Sequence, residues 1–150
     1  MRIAAGYPGA MTGTVEQIAI AAEESALPGT VDQVEVRATG IAGDRYAGKG
    51  DITLIEAEAL EAFTAETGIE LSHQESRRQV LTRGIRLNDL VGRRFTVGEV
   101  EVVGRELCEP CSHLQSLTRA GVLKGMVHRA GLNADIVTPG RIAVGDRVDG

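Results

Sequence analysis

Two cysteines three positions apart, Cys108 and Cys111, with His113 close behind them, carry the nucleophilic and soft-ligand chemistry of this chain. The spacing admits four readings. In the first, Cys111 is a nucleophile, sulfur carrier or metal ligand and Cys108 is a bystander or resolving thiol. In the second, the two form a dithiol–disulfide couple. In the third, Cys108, Cys111 and His113 bind zinc with His128 or His73 as a fourth ligand, although no second C-x-x-C pair is present to specify it. In the fourth, both are small buried residues without a role. Local structure favours Cys111 as the working atom. Pro110 cannot continue a ladder, so a strand must stop near it. Ser112 to Arg119 carries Leu114 and Leu117 at helical spacing, which puts Cys111 at or just before a helix N-terminus. Unpaired N–H groups and the helix dipole there favour a thiolate. His113 could assist its deprotonation or simply sit exposed in the first turn.

A second set of residues could hold an anion. Arg77, Arg78, Arg83, Arg86, Arg93, Arg94 and Arg105 fall on segments expected to surround the cysteines, a local positive region in a chain of net charge −5. The plainer alternative is that many are solvated strand edges. Arg78, just ahead of an apolar strand, is the best anion clamp among them. Asp44-Arg45, after the glycine-bracketed stretch Gly40-Ile41-Ala42-Gly43, either orients a ligand or pairs internally as a loop staple. His128-Arg129, in a Gly-flanked stretch, could reach an anion. His73, beside the capping-box spacing Ser72-x-x-Glu75, is placed at the surface.

The elements that must position these residues are short. Clean alternation marks Val34 to Arg37, and an apolar run marks Asp51 to Ile55. Arg94 to Val103 reads as two strands around a Gly98-Glu99 turn. Leu132 to Thr138 and Arg141 to Val148 read as a closing pair joined by a Pro139-Gly140 hairpin turn. Val15, Ile18 and Ile20 suggest a first strand of imperfect alternation. Glu56 to Thr67 is the one good helix, with Ala59, Leu60 and Phe63 on one stripe and Gly68 as its stop. Asn88 to Gly92 reads as a capped helical turn. Seven to nine short strands with 19 glycines and 3% aromatics predict a mainly β barrel or sandwich with a Val/Ile/Leu/Ala core. The length predicts one domain over residues 12–150 after an N-terminal arm, residues 1–11.

Composition excludes several classes. The acidic balance and the lack of a basic, aromatic surface argue against nucleic acid. Residues 1–11 do not read as a signal peptide, and no run approaches ~18 apolar residues, so no membrane partner is expected. The two cysteines then suit a reducing compartment, most simply the cytoplasm.

Four ordered stretches resemble the MOSC family, the domain found at the C-terminus of molybdenum cofactor sulfurases. They are Gly40-Ile41-Ala42-Gly43-Asp44-Arg45; Asp51 to Ile55; Arg78-Gln79-Val80-Leu81-Thr82-Arg83-Gly84-Ile85; and Val91 to Gly98 leading to Glu109-Pro110-Cys111. Gly140-Arg141-Ile142-Ala143-Val144-Gly145-Asp146 is similar to the family's ending. The resemblance implies a closed or partly open β-barrel of the MOSC, pyruvate-kinase-barrel-like type with a few short helices, here as a small stand-alone member. It implies the molybdenum cofactor (molybdopterin, a pterin with a dithiolene and a phosphate) as ligand, and Cys111 as the hallmark cysteine after a proline. Cys111 would carry persulfide sulfur or ligate molybdenum. The positions matching the motifs make Arg78, Gln79, Thr82, Arg83, Asp44 and Arg45 candidates for cofactor contact, with His128 and Arg129 beside them. Arg78, with Arg83 or Arg129, would take the phosphate. Gln79 departs from the family's frequent Asn. The domain itself would bind no pyridoxal phosphate, so sulfur would come from a cysteine desulfurase partner. The alternative is a molybdenum-dependent reductase of N-hydroxylated compounds fed by an electron-donor protein. A structural zinc or binding module is the third reading.

Overall fold

The computed structural model describes residues 12–22, 26–110, 115 and 118–150. Eleven strands are found among the described residues. They are β1 (Thr12–Ile20), β2 (Gly29–Val31), β3 (Gln33–Arg37), β4 (Gly40–Ile41), β5 (Asp51–Glu56), β6 (Val80–Arg83), β7 (Arg94–Val97), β8 (Val100–Leu107), β9 (Leu132–Thr138), β10 (Gly140–Ala143) and β11 (Arg147–Asp149). Helices are few and short: α1 (Ala57–Thr67), α2 (His73–Ser76), α3 (Val122–Gly125) and a 3-10 turn at Leu87–Leu90.

Seven strands close on themselves in the order β1-β11-β7-β8-β9-β5-β6, with β2 added outside β1. Closure leaves no free edge in the ring. The inward residues of the alternating strands, among them Ile18, Ile52, Leu54, Val80, Phe95, Val102 and Leu132, fill the barrel. The irregular alternation of β1 has a physical cause. Its register against β6 slips between Val15 and Gln17, a bulge that turns one residue out of step.

β5 and β6 are the parallel pair of the ring. Parallel neighbours need a crossover, and α1 provides it. Its apolar stripe, with Leu60 and Phe63, packs outside the barrel on Leu81, Val122 and Met126. A Cβ at Gly125 would run into the Phe63 ring, so the close approach of α3 to α1 depends on glycine there. Gly68 ends α1 in the left-handed conformation (φ 73°), as its position predicts.

Two sequence expectations are corrected. Pro139-Gly140 does not join a hairpin: β9 pairs with β8 and β5, whereas β10 leaves the barrel and pairs with β3 in a separate sheet, β10-β3-β4. The run expected as one last strand is therefore split. Gly145 (φ 95°) turns the chain, the Asp146 carboxylate accepts from the Ala143 N–H, and β11 returns to close the ring between β1 and β7.

His73 is the second correction, since it is 5% exposed rather than on the surface. The capping box at Ser72 is present, and it rolls His73 inward, with Nδ1 2.8 Å from the Gln17 Oε1. Burial holds its pKa down to about 4, against smaller upward pulls from the Arg78 backbone and the Glu16 charge. Its folded pKa thus lies below its unfolded value. The stability contributed by the neutral ring is complete above about pH 6.5 and is lost as pH falls from there through 4, by up to about 3 kcal/mol. Urea unfolding at pH 7.5 and 4.5 should show that loss, and H73Q should show less of it. Equal losses in both proteins would assign the effect to other groups.

Candidate functional site

A cavity of about 240 Å³ opens on the outer wall of the barrel where β1 ends and β5 and β6 begin. Its wall includes Ala19, Asp44, Tyr46, Asp51, Thr53, Arg77, Arg78 and Gln79. The outward positions of β5, Asp51 and Thr53, reach it because side chains alternate across a strand.

The β5–β6 junction is latched by side chains. Gln79 Oε1 accepts from the Thr53 N–H at 2.8 Å, and Thr53 Oγ1 accepts from the Gln79 N–H at 3.0 Å. Gln79 Nε2 is left with no partner among the described residues. Arg77 ends α2 in the left-handed conformation (φ 62°), so the chain turns sharply and delivers Arg78 beside the strand. Arg78 is half-buried and anchored at one point: its Nε donates to the Ala130 carbonyl at 2.7 Å. Its terminal nitrogens face no carboxylate among the described residues.

Asp44 is buried, and its carboxylate serves the loop. Oδ2 accepts from the Ala21 N–H at 3.0 Å, and Oδ1 accepts from the Tyr46 N–H at 2.8 Å. Of the two readings open for it, the staple is the one its bonds describe. Arg45 stacks over the Tyr46 ring, 5.2 Å from its centroid.

The broad positive region expected from the arginines is not found. Arg86 pairs with Asp89, Arg94 with Glu101, and Arg105 with Asp51, Glu106 and Asp135. Arg83 is held between Glu16 and Glu61, which raises its own pKa and lowers that of Glu61. Arg77 and Arg78 of that set line the cavity, whereas Arg83, Arg94 and Arg105 meet acids of neighbouring elements and Arg86 meets Asp89 within its own turn.

The remaining candidates are dispersed. Thr82 is buried, with Oγ1 3.4 Å from the Ile55 carbonyl. Arg129 is bound to Glu66 and to the Gly125 carbonyl. His128, at φ 63°, is clasped by Glu109, whose oxygens accept from its N–H and lie 2.7 Å from its Nδ1. His128 and Arg129 line a different cavity, of about 330 Å³, with Glu56, Glu58, Arg86 and Asn88.

Cys108 follows the end of β8, and its N–H donates to the Gly131 carbonyl at 2.8 Å. Burial pushes its thiol pKa up. Arg78 pulls it back down, Asp51 and Glu106 raise it further, and Arg105 lowers it. It is therefore a neutral thiol near pH 7, within the field of the same Arg78 and Asp51 that line the cavity. Cys111 and His113, with Ser112 and Leu114, lie outside the described residues. Among the described residues no cluster of three or more His, Cys, Asp or Glu side chains could hold a metal ion. No helix of the described residues is long and apolar enough to cross a membrane.

Sequence reasoning passed over Asp51 and Thr53 as site residues. The available signal was the polar half of a strand whose other half is apolar.

The fold and this wall define a seven-stranded barrel with a cation-bearing pocket on its outside. Residues 42–149 match the MOSC domain, so the chain belongs to the MOSC domain family, which is associated with molybdenum cofactor binding. Among solved structures it resembles the YuaD protein from Bacillus subtilis (TM-score 0.80, 17% identity, covering 92% of this chain and 94% of that one). It also resembles YiiM from Escherichia coli (TM-score 0.71, 16% identity, 93% and 69% covered). A third likeness is to YiiM from Geobacillus stearothermophilus (TM-score 0.73, 16% identity, 91% and 74% covered). At these identities the likeness is one of fold. No curated protein matches the chain.

Proposed function

We propose that this MOSC domain binds the molybdenum cofactor, or its pterin, at the outer-wall cavity and acts in sulfur transfer or cofactor handling through Cys111. The observation that carries the reading is Arg78, a half-buried guanidinium fixed at Nε with no carboxylate partner among the described residues. An oriented, unpaired fork of donors suits a phosphate. Gln79 Nε2 adds a second donor. The donor set therefore fits the anionic end of the cofactor. The cavity alone, near 240 Å³, is small for a whole pterin-dithiolene. The ligand would extend from it along the β5–β9–β8 face toward Cys108.

When bound, the group would supply a metal centre and soft sulfur ligands. Cys111 would act there as persulfide carrier or metal ligand, either of which suits a thiolate. Cys108, kept neutral by burial, suits a resolving thiol. Sulfur would arrive from a cysteine desulfurase. A cytoplasmic setting, where thiols stay reduced, agrees with this chemistry.

The test loads the anaerobically purified protein with molybdopterin and measures metal, pterin fluorescence and protein persulfide in the wild type and in C111S. We expect the wild type to retain pterin, and C111S to lose the persulfide or the metal. Equal retention by both proteins, with no persulfide on either, would overturn the role of Cys111. Failure of the wild type to retain pterin would overturn the binding itself.

A further inference from the structure

The cavity has a second charged wall, and it carries the opposite sign. Asp51 opens β5, and its side chain is only 15% exposed. Its Oδ2 accepts from Arg105 Nη2 at 2.8 Å. With the Asn133 amide in the orientation that satisfies both of its atoms, Oδ2 also accepts from the Asn133 nitrogen at 3.1 Å. Oδ2 is thereby saturated, whereas Oδ1 has no donor among the described residues. Arg105 also pairs with Asp135, through its Nε at 2.9 Å. Asp44, the other acid on the wall, differs because both its oxygens accept backbone N–H groups. Asp51 Oδ1 is thus a carboxylate oxygen left open in the cavity that Arg78 also lines.

We infer that Asp51 selects a pteridine carrying a 2-amino group over one carrying a 2-oxo group; the inference rests on the cofactor-binding reading above. A ligand with its phosphate on Arg78 and N–H donors at the far edge satisfies both walls. In the same pose a 2-oxo ring sets a carbonyl against the carboxylate oxygen, and its ring N–H groups meet that oxygen only if the ring shifts. A site built around a hydrogen bond rejects the analogue that lacks it. D51N should reverse the preference. Arg105 only donates, so it holds the asparagine carbonyl on its own side, which puts Nδ2 where Oδ1 was. That nitrogen donates to a 2-oxo group.

The experiment titrates the protein with 6-hydroxymethylpterin phosphate and with 6-hydroxymethyllumazine phosphate, its 2-oxo counterpart, following ligand fluorescence. The wild type should bind the pterin at least about tenfold more tightly, the scale of a hydrogen bond to a charged acceptor. D51N should prefer the lumazine. D135N, which loosens Arg105 without touching the cavity, should keep the wild-type ratio. Equal affinities in the wild type overturn the inference while leaving phosphate-pterin binding intact. Collapse of the ratio in D135N as in D51N assigns the effect to the ion network and overturns it too. Binding of neither ligand by the wild type overturns the cofactor reading from which it starts. The wild-type ratio requires no variant, so poor folding of D51N would leave that arm decisive.

Discussion

Arg78→Ala is expected to weaken binding of a phosphorylated pterin by about 100-fold, and Arg83→Ala to leave it within about twofold. The two arginines sit five positions apart around β6, yet their surroundings differ. Arg83 lies between two carboxylates on an exposed face, where its charge is already used. Exposed pairs of this kind contribute at most about 1 kcal/mol to stability, so its loss should barely register. Arg78 meets no such partner among the described residues, and its Nε bond to the Ala130 carbonyl orients the fork. Removing two charge-assisted hydrogen bonds to a phosphate accounts for the expected factor, about 2.7 kcal/mol. Lysine at position 78 keeps the charge but loses the fork, and should fall between the two. Fluorescence titration of the three variants decides the matter. Equal losses in R78A and R83A would mean that net charge, rather than the cavity, holds the ligand.

Gly131→Ala should cost about 3 kcal/mol and lower Tm by roughly 6–12 °C. Gly131 has φ 114°, and a Cβ there would overlap the Leu54 carbonyl oxygen. The position joins several parts of the molecule. Its carbonyl accepts the Cys108 N–H, its neighbour Ala130 anchors Arg78, and the next residue, Leu132, pairs with Leu54. Displacing it therefore disturbs the barrel seam and the site together. Gly92→Ala provides the contrast. Its φ is 78°, but a Cβ would meet nothing within 4 Å, so backbone strain alone should cost about 1 kcal/mol. Thermal unfolding of both variants tests this, and similar Tm shifts would show that crowding against Leu54 has no role.

Local patterns carried much of the fold. The alternation of β3, the apolar runs of β5 and β6, the turn at Gly98 and the stripe and stop of α1 are properties of a few consecutive residues, and the chain obeys them. Pairing is different, because any two strands of similar pattern can satisfy one another. Pro139-Gly140 has the chemistry of a hairpin turn, but the partners of β10 and β11 were settled by β3, β1 and β7, which come from distant parts of the sequence. His73 shows the same limit: the capping box was legible, whereas the wall of β1 that buries it was not.

For the site, residue type and order pointed to Arg78 and Asp44 and, through Pro110, to Cys111, which lies outside the described residues; the resemblance added Gln79, and the ordered motifs were enough to recognise the MOSC family. The sequence by itself thus determined the elements, the family and the kinds of group available for chemistry. Only the tertiary structure decided which charges remain unspent. Seven similar arginines cannot be ranked from sequence, since an arginine is neutralised by whichever carboxylate the fold brings within about 4 Å, a distance at which Coulomb attraction competes with hydration. The folded barrel gives Arg83 two acids and Arg105 two from other strands, leaves Arg78 without one among the described residues, and places Asp51 on the same cavity as Arg78.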